Sequence, residues 1–360
     1  MEKNTIKVLD LFAGAGGLSL GFSWTGLYES IGAIDFNPHA VKTYNHNHGN
    51  VAHCLDIKTL NTKEDILEKF PSALEAEVII GGPPCQGFSS SNRSQDTKDD
   101  PRNQLFMQFI KFVDLIQPKA VLIENVKGIL TKNNGEVKDA IFELFEEKGY
   151  HVAAQLLNSS DFGVPQNRMR TFFVILKDEV FDFNRMIRKP TVTVGDAIGA
   201  FIPLEGQLSE MKGAYVLPSN PTSTYDALMR SESNVIFNHY MDYPTDKTRE
   251  RVRQVPMGGN WKDLPRDQLP TQRDNYHSNY LKRIDLRKPS ITIDTGHRMY
   301  YHPLFERVPT VRESARIQSF PDWFEFLGPK TEQNRQVGNA VPPLLAKALA
   351  EAIYTYIQKD

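Results

Sequence analysis

Through the first half of the chain, short apolar runs ended by glycine, proline or a carboxylate alternate with stretches of helical spacing. Ile6-Lys7-Val8-Leu9-Asp10-Leu11-Phe12 predicts a buried strand. It breaks into Ala13-Gly14-Ala15-Gly16-Gly17-Leu18-Ser19 and resumes as a helix through Trp24. Residues 30–35 predict a second strand ending in Asp35, followed by a helix over 37–44. Residues 51–55 predict a third strand, with Cys54 inside it and expected in the core. A short helix over 64–70 and a fourth strand over 78–81 lead to Pro83-Pro84. Two prolines fix φ and give no ladder donors, so the strand must stop there. Residues 86–103 show no apolar periodicity and predict a long loop, read as a lid. A helix over 105–116 follows, then a fifth strand over 120–123 ending in Glu124-Asn125-Val126. A helix over 137–148 and strands over 151–157 and 171–176 complete a doubly wound, mixed α/β sheet of Rossmann-like type. After Lys177 the alternation stops, and residues 185–300 read as a smaller, irregular β-rich domain. Order returns at 312–320, an amphipathic helix stopped by Pro321-Asp322. A closing helix over 344–357 is opened by Gly338-Asn339-Ala340-Val341-Pro342-Pro343.

Composition narrows this picture only slightly. The 360 residues are 40% apolar and 24% charged, as in a globular protein with ample core. No apolar run approaches the ~20 residues that span a membrane. The amino terminus runs straight into a strand without a signal-peptide apolar region. Cys54 and Cys85 can form one bridge at most, which suits a reducing cytoplasm. The formal net charge is −2, but residues 247–298 hold 12 Lys/Arg against 6 Asp/Glu, or +6, leaving −8 elsewhere. A basic segment on an acidic body is expected of a polyanion-binding face; a solvated loop region shows the same bias. Within it Arg249, Arg251 and Arg253 alternate, and an extended strand would point all three to one face.

Candidate chemistry gathers where strands end. The diproline presents Cys85, and a stiff presentation favours a nucleophile over a buried structural thiol. Glu124 emerges at the same sheet edge from a neighbouring strand, as a catalytic carboxylate or a helix cap. The turn at Gly14 and Gly16 fits the dinucleotide fingerprint only in part, since Ser19 stands at the third glycine position. Asp35, about 20 residues further on, can accept from ribose hydroxyls or cap the next helix. Arg168 and Arg170 are expected to alternate on one strand face, to stabilise an anion or cap the sheet. No metal-ligand pattern is present in the sequence.

Taken together, these motifs resemble the DNA (cytosine-5)-methyltransferases, particularly the bacterial single-chain enzymes of restriction–modification systems. Asp10-Leu11-Phe12-Ala13-Gly14-Ala15-Gly16-Gly17-Leu18 is similar to the family's S-adenosylmethionine loop. Pro84-Cys85-Gln86 resembles its nucleophile motif, Glu124-Asn125-Val126 its glutamate motif, and Gln166-Asn167-Arg168-Met169-Arg170 its Gln-x-Arg-x-Arg motif. Arg312-Glu313-Ser314-Ala315-Arg316-Ile317-Gln318-Ser319-Phe320-Pro321 resembles the motif that supports the recognition domain, and residues 338–343 resemble the final motif. Six motifs in the family's order make a specific match over nearly the whole chain, residues 185–290 excepted.

The resemblance implies a catalytic and cofactor domain over 1–182, a target-recognition domain over 183–310, and a return segment over 311–360 packed on the first. It implies Cys85, Glu124, Arg168 and Arg170 as catalytic residues, with Arg168 on the O2 side of the cytosine and Arg170 in support. It implies a pocket for S-adenosyl-L-methionine from Phe12, Ala13, Gly14, Gly16, Gly17, Leu18, Asp35, Phe36, Asp56, Ile57, Pro84, Leu105, Asn339 and Ala340. Ala340 departs from the serine often found there, which removes any hydroxyl contact. Gln86, Ser89, Arg249, Arg251 and Arg253 are the candidates for contact with double-stranded DNA. The implied setting is a monomer in a bacterial cytoplasm, acting on the chromosome, with a possible cognate restriction endonuclease. A nicotinamide oxidoreductase shares the sheet but leaves Cys85 and Glu124 without a task. A tRNA cytosine-5 methyltransferase of the same family carries Cys-Phe-Thr, which follows neither cysteine here. A catalytically silent DNA-binding relative is expected to lose the nucleophile or the glutamate, and both stand.

Overall fold

The computed structural model describes residues 5–84, 101–209, 213–230, 232–241, 243–269, 276, 279–296 and 300–358. Seven strands form one sheet: β1 (Ile6–Leu11), β2 (Tyr28–Asp35), β3 (Ala52–Cys54), β4 (Val78–Gly81), β5 (Ala120–Val126), β6 (His151–Asn158) and β7 (Met169–Leu176). Their order is β3-β2-β1-β4-β5-β7-β6. The first five pair in parallel, and β7 runs antiparallel to both its neighbours. Central parallel strands are buried on both faces, which is why β4 and the start of β5 read as unbroken apolar runs. Helices α1 (Gly17–Ser23), α2 (Pro38–His48), α3 (Lys63–Lys69), α4 (Pro101–Ile116) and α5 (Glu136–Glu146) connect the strands. A core cluster joins Leu9, Leu11 and Ile79 of the sheet to Phe106, Phe109 and Ile141 of the helices.

Strand order reverses between β1 and β4, the position where open sheets leave a crevice at their carboxyl ends. Leu11 is in register with Ile34 and Gly81, and Gly81 with Ile123. Phe12, Asp35, Gly82 and Glu124 are therefore each the first residue past one common line. Four separate chain segments deliver a residue to the same edge.

By contacts the chain divides into two units, 1–162 with 169–188 and 341–360, and 163–168 with 189–340. The segment 311–360, expected to return as a whole, is thus shared: 311–340 belongs to the second unit and 341–360 to the first. The closing helix Pro343–Ile357 packs on α1 so tightly that a Cβ on Gly21 would lie 2.4 Å from Ala346 Cβ and 2.5 Å from the Pro343 carbonyl oxygen.

In the second unit the irregular segment takes the form of short helices around two small ladders, β8 (Tyr215–Val216) with β9 (Val235–Ile236) and β10 (Lys282–Arg283) with β11 (Tyr300–Tyr301). Its longer helices are α6 (Val194–Ile198), α7 (Thr224–Met229), α8 (Asp246–Gln254), α9 (Val311–Ile317) and α10 (Lys330–Asn339). All seven residues of α9 are buried, charges included. The expected amphipathic helix has no solvent face, because its polar side is an internal ion network. Arg316 pairs with Asp226 and Asp322 at 2.6 and 2.5 Å, and Glu313 with Arg307 at 2.7 Å. Cys54, expected in the core, is exposed instead, because β3 is a three-residue edge strand.

Candidate active site

The glycine turn after β1 is held open by its own backbone. Phe12, Gly14 and Gly16 all have left-handed φ, at 63°, 56° and 91°. A Cβ on Gly16 would meet His48 Nε2 at 2.4 Å, so only glycine fits there. The Gly14 amide donates to Asp35 Oδ2 at 2.9 Å, and the Asn37 amide donates to Asp35 Oδ1 at 2.8 Å. Asp35 is therefore not the cap of α2; Asn37 is, accepting from the His39 and Ala40 amides. Burial pushes the Asp35 carboxyl above its usual range, against the lowering effect of those amide bonds. Beside it Phe36 is 78% exposed, an open aromatic face next to a carboxylate. Among the described residues, nothing stands within 4 Å of where a side chain at Gly14 would begin. These features fit a ligand with a flat base and a ribose: a stacking face, a hydroxyl acceptor and an uncovered turn. Ala13 is half-buried, Gly17 and Leu18 are buried at the start of α1, and Asp56 caps the turn Ile57–Thr59 through the Lys58 amide at 3.0 Å.

The second constellation follows β4. A Cβ on Gly81 would lie 2.1 Å from the Leu11 carbonyl oxygen, so glycine is required for β1 and β4 to approach there. A Cβ on Gly82 would stand 3.2 Å from Glu124 Oε2, which brings the diproline turn against the carboxylate. Asn125 Nδ2 donates to the Pro83 carbonyl at 3.0 Å and ties the turn to β5. Glu124 pairs with Arg170 through Nε at 3.0 Å, both side chains about one-fifth exposed or less. The two are diagonal cross-strand neighbours, since Glu124 is in register with Phe172 and Val126 with Arg170. Asn125 was given no role of its own from sequence; its signal was its place in the Glu124-Asn125-Val126 motif, directly after the glutamate at a strand end. Pro84 is half-buried, and so is Leu105 on α4, packed on the core cluster. Cys85, Gln86 and Ser89 lie outside the described residues.

The two arginines of the Gln-x-Arg-x-Arg motif are not on one strand face. β7 begins at Met169, so Arg170 lies in the sheet and Arg168 precedes it, in the second unit. Arg168 is 1% exposed and donates through Nη1 to the Ile293 carbonyl at 3.1 Å and through Nη2 to the Gly338 carbonyl at 2.9 Å. Its guanidinium holds distant backbone, while that of Arg170 holds the Glu124 carboxylate and the neighbouring Met169 carbonyl. Gln166, also buried, bonds Gln318 and accepts from the Ile293 amide. Asn339 is the exposed last residue of α10 and Ala340 its half-buried cap. Residues 338–339, expected to open the closing helix, end this earlier one, whose polar sequence gave no apolar period.

Arg249, Arg251 and Arg253 lie on helix α8, not on a strand. Successive odd positions on a helix are about 200° apart, so the three do not share a face. Acid–base spacing favours the helix: Arg249 pairs with Asp246 at 3.3 Å and Arg253 with Glu250 at 2.9 Å, both three residues apart. Arg249 also covers the Tyr243 ring, and Arg251 donates to the Gln268 carbonyl at 2.6 Å. Among the described residues, no helix is long and apolar enough to cross a membrane.

The family model for C-5 cytosine-specific DNA methylases matches residues 6–355. The Type II methyltransferase M1.HphI of Haemophilus parahaemolyticus is 38% identical over 97% of this chain and 87% of its own length. M.DdeI of Desulfomicrobium norvegicum is also 38% identical, over 98% and 89%. A crystal structure of a candidate DNA modification methyltransferase encoded within an E. coli prophage superposes with a TM-score of 0.80 at 27% identity, covering 99% of this chain and all of that one. The S. pombe Dnmt2 structure, at 19% identity and a TM-score of 0.59 over 98% of this chain and 99% of its own, shares the fold. The chain belongs to the C-5 cytosine-specific DNA methylase family.

Proposed function

We propose that this DNA cytosine-5-methyltransferase moves a methyl group from S-adenosylmethionine to C5 of one cytosine in a specific double-stranded sequence, through a covalent adduct with Cys85. The observation that carries the reading is the meeting of Glu124, Arg170 and the diproline turn at the sheet's carboxyl edge. Cytosine C5 is a poor nucleophile, and addition of a thiolate at C6 makes the ring enamine-like and nucleophilic at C5. Cys85 supplies that thiolate; a free thiol has a reference pKa of about 8.5, so the reaction draws on its deprotonated form. Glu124 contacts N3 and the exocyclic amine and balances charge developing on the ring. Arg170, on the same carboxylate at 3.0 Å, supports Glu124 and is the better candidate for the O2 side. Arg168 is a positioning residue, because its Nη1 and Nη2 hold the buried carbonyls of Ile293 and Gly338. Gly14, Asp35 and Phe36 would hold the adenosine of the cofactor, which supplies an electrophilic methyl group on a positive sulfur when bound. A base then removes the C5 proton and the Cys85–C6 bond breaks.

None of this is possible on a stacked base, so the cytosine is flipped out of the duplex. The basic segment of the second unit supplies phosphate contacts and part of the readout, with Gln86 and Ser89 beside the nucleophile. The protein acts as a monomer on the bacterial chromosome, with a restriction endonuclease that shares its sequence without touching it. Labelled S-adenosylmethionine offered with either DNA or tRNA tests the reading, followed by sequencing of methylated cytosines from an unmethylated host. Label in DNA at one recurring sequence is expected; label in tRNA alone overturns it.

A further inference from the structure

Strand β1 buries a carboxylate that the reaction above does not use. Asp10 is 1% exposed, and its Oδ2 accepts from Ser19 Oγ at 2.7 Å. Ser19 in turn accepts from Tyr44 Oη at 2.8 Å, and Tyr44 Oη lies 2.7 Å from Ser30 Oγ. Three hydroxyls from α1, α2 and β2 thus form one chain whose donors run towards Asp10. Such chains polarise cumulatively and favour a charged acceptor. Among the described residues the other oxygen, Oδ1, is buried with no partner in hydrogen-bond geometry, the Ser19 amide offering only a weak contact to the carboxyl. A buried carboxylate with one bare oxygen is costly as an anion, so it needs a proton or a nearby positive charge. The chain lies beneath the glycine turn: Ser19 is two residues into α1, and Tyr44 and His48 of α2 occupy the space under Gly16.

We infer that Asp10 is a proton-exchanging counter-charge for the cofactor, giving its proton to solvent as the positively charged S-adenosylmethionine binds at the glycine turn. This rests on the cofactor reading above. The sulfonium makes the cofactor cationic at sulfur, whereas the sulfur of the product S-adenosylhomocysteine is neutral. The device therefore favours substrate over product. Burial is the main cause that raises the Asp10 carboxyl to about 7, opposed by the Ser19 hydroxyl and more weakly by the Ser19 amide, and reinforced by the charge of Asp35 at the end of β2. From α2, His48 is held neutral by burial, down to about 4, and Tyr44 is pushed up by burial, so neither supplies the charge. Helix α1 and strand β4 carry no ionisable side chain, and on the closing helix Lys347 pairs with Glu351.

The test is calorimetry of the full chain with S-adenosylmethionine and with S-adenosylhomocysteine, at pH 6, 7 and 8 in buffers of different ionisation heat. The cofactor's own amino group titrates at about 7.7–8.0, so Asp10→Asn provides the baseline. Relative to that variant, the wild type is expected to release about half a proton at pH 7 and to gain about tenfold in cofactor affinity from pH 6 to pH 8. The product is expected to gain less than about threefold. Tyr44→Phe removes one donor from the chain and is expected to move the release midpoint to higher pH. It decides the matter if Asp10→Asn does not fold. Equal proton counts in wild type and Asp10→Asn, the same gain for product and cofactor, or an unmoved midpoint in Tyr44→Phe would each overturn the inference. Failure to bind S-adenosylmethionine at any pH would overturn the cofactor reading with it, whereas tight but pH-independent binding overturns the inference alone.

Discussion

Replacing each motif arginine by methionine should separate two roles that adjacent sequence positions conceal. Arg168→Met keeps length and apolar stem but removes two bonds, at 3.1 and 2.9 Å, to carbonyls otherwise buried with it. Hydrogen bonds from a charged donor contribute about 1.5–3 kcal/mol each, so the loss should approach roughly 3–5 kcal/mol. That is a large share of the ~5–15 kcal/mol that holds a typical domain. Arg170→Met removes the partner of Glu124, where both side chains keep some solvent contact, 20% and 16%. Its stability cost should be only about 1–2 kcal/mol, because solvent screens the pair. Its rate cost should be about 100- to 1,000-fold, the usual loss when one preorganised donor leaves a site of developing charge. Denaturant melts and single-turnover methyl transfer, at saturating cofactor and DNA, read the two quantities separately. An Arg170→Met protein that melts early but transfers normally would refute the reasoning, as would an Arg168→Met protein of full stability.

Asp35→Ala should weaken S-adenosylmethionine binding by about 1.5–3 kcal/mol, since the carboxylate is lost both to the ribose and to the Gly14 amide; calorimetry giving wild-type affinity in a folded variant would return Asp35 to a purely structural role. Gly21→Ala should destabilise the first unit by about 1–3 kcal/mol, because the new methyl meets the backbone of the closing helix, and a denaturant midpoint equal to wild type would contradict that packing. The second unit should lose stability on acidification. Burial holds His239 and His302 neutral, down to about 4 and about 3. The unfolded chain takes up their protons near pH 6.5, so the stability they contribute is present above that pH, drains as pH falls below it, and is fully lost once pH passes about 4 to 3. Unfolding followed from pH 7 to pH 4 should show a steady decline, and a flat profile would count against buried neutral imidazoles.

The first unit was legible because its strands bury both faces and end in glycine, proline or carboxylate. The strand ends at Asp35, at the Pro83-Pro84 turn and at Glu124 are marked by those local signals. What escaped the sequence was long-range. Arg168 and Arg170 look equivalent two residues apart, yet the strand begins between them, and Arg168 finds carbonyls 125 and 170 positions away. The α8 arginines were read at period two, although Asp246 and Glu250 three residues before Arg249 and Arg253 carried the helical signal. Buried charge also misleads: Arg312, Glu313 and Arg316 look like a solvent face until their partners, scattered from Ala197 to Phe324, are assembled around them. Asp10 was visible only as part of a motif, since its partners come from three other elements.

The claim on which the rest depends is that Cys85 attacks cytosine. A duplex carrying 5-fluorocytosine at the methylated position tests it, because fluorine at C5 blocks the final elimination and leaves the adduct in place. With S-adenosylmethionine present, peptide mapping of the trapped complex is expected to find the DNA on Cys85. The Cys85→Ser variant should bind DNA and cofactor yet form no adduct. An adduct on the exposed Cys54, or methyl transfer by Cys85→Ser above about one per cent of wild type, would contradict the account.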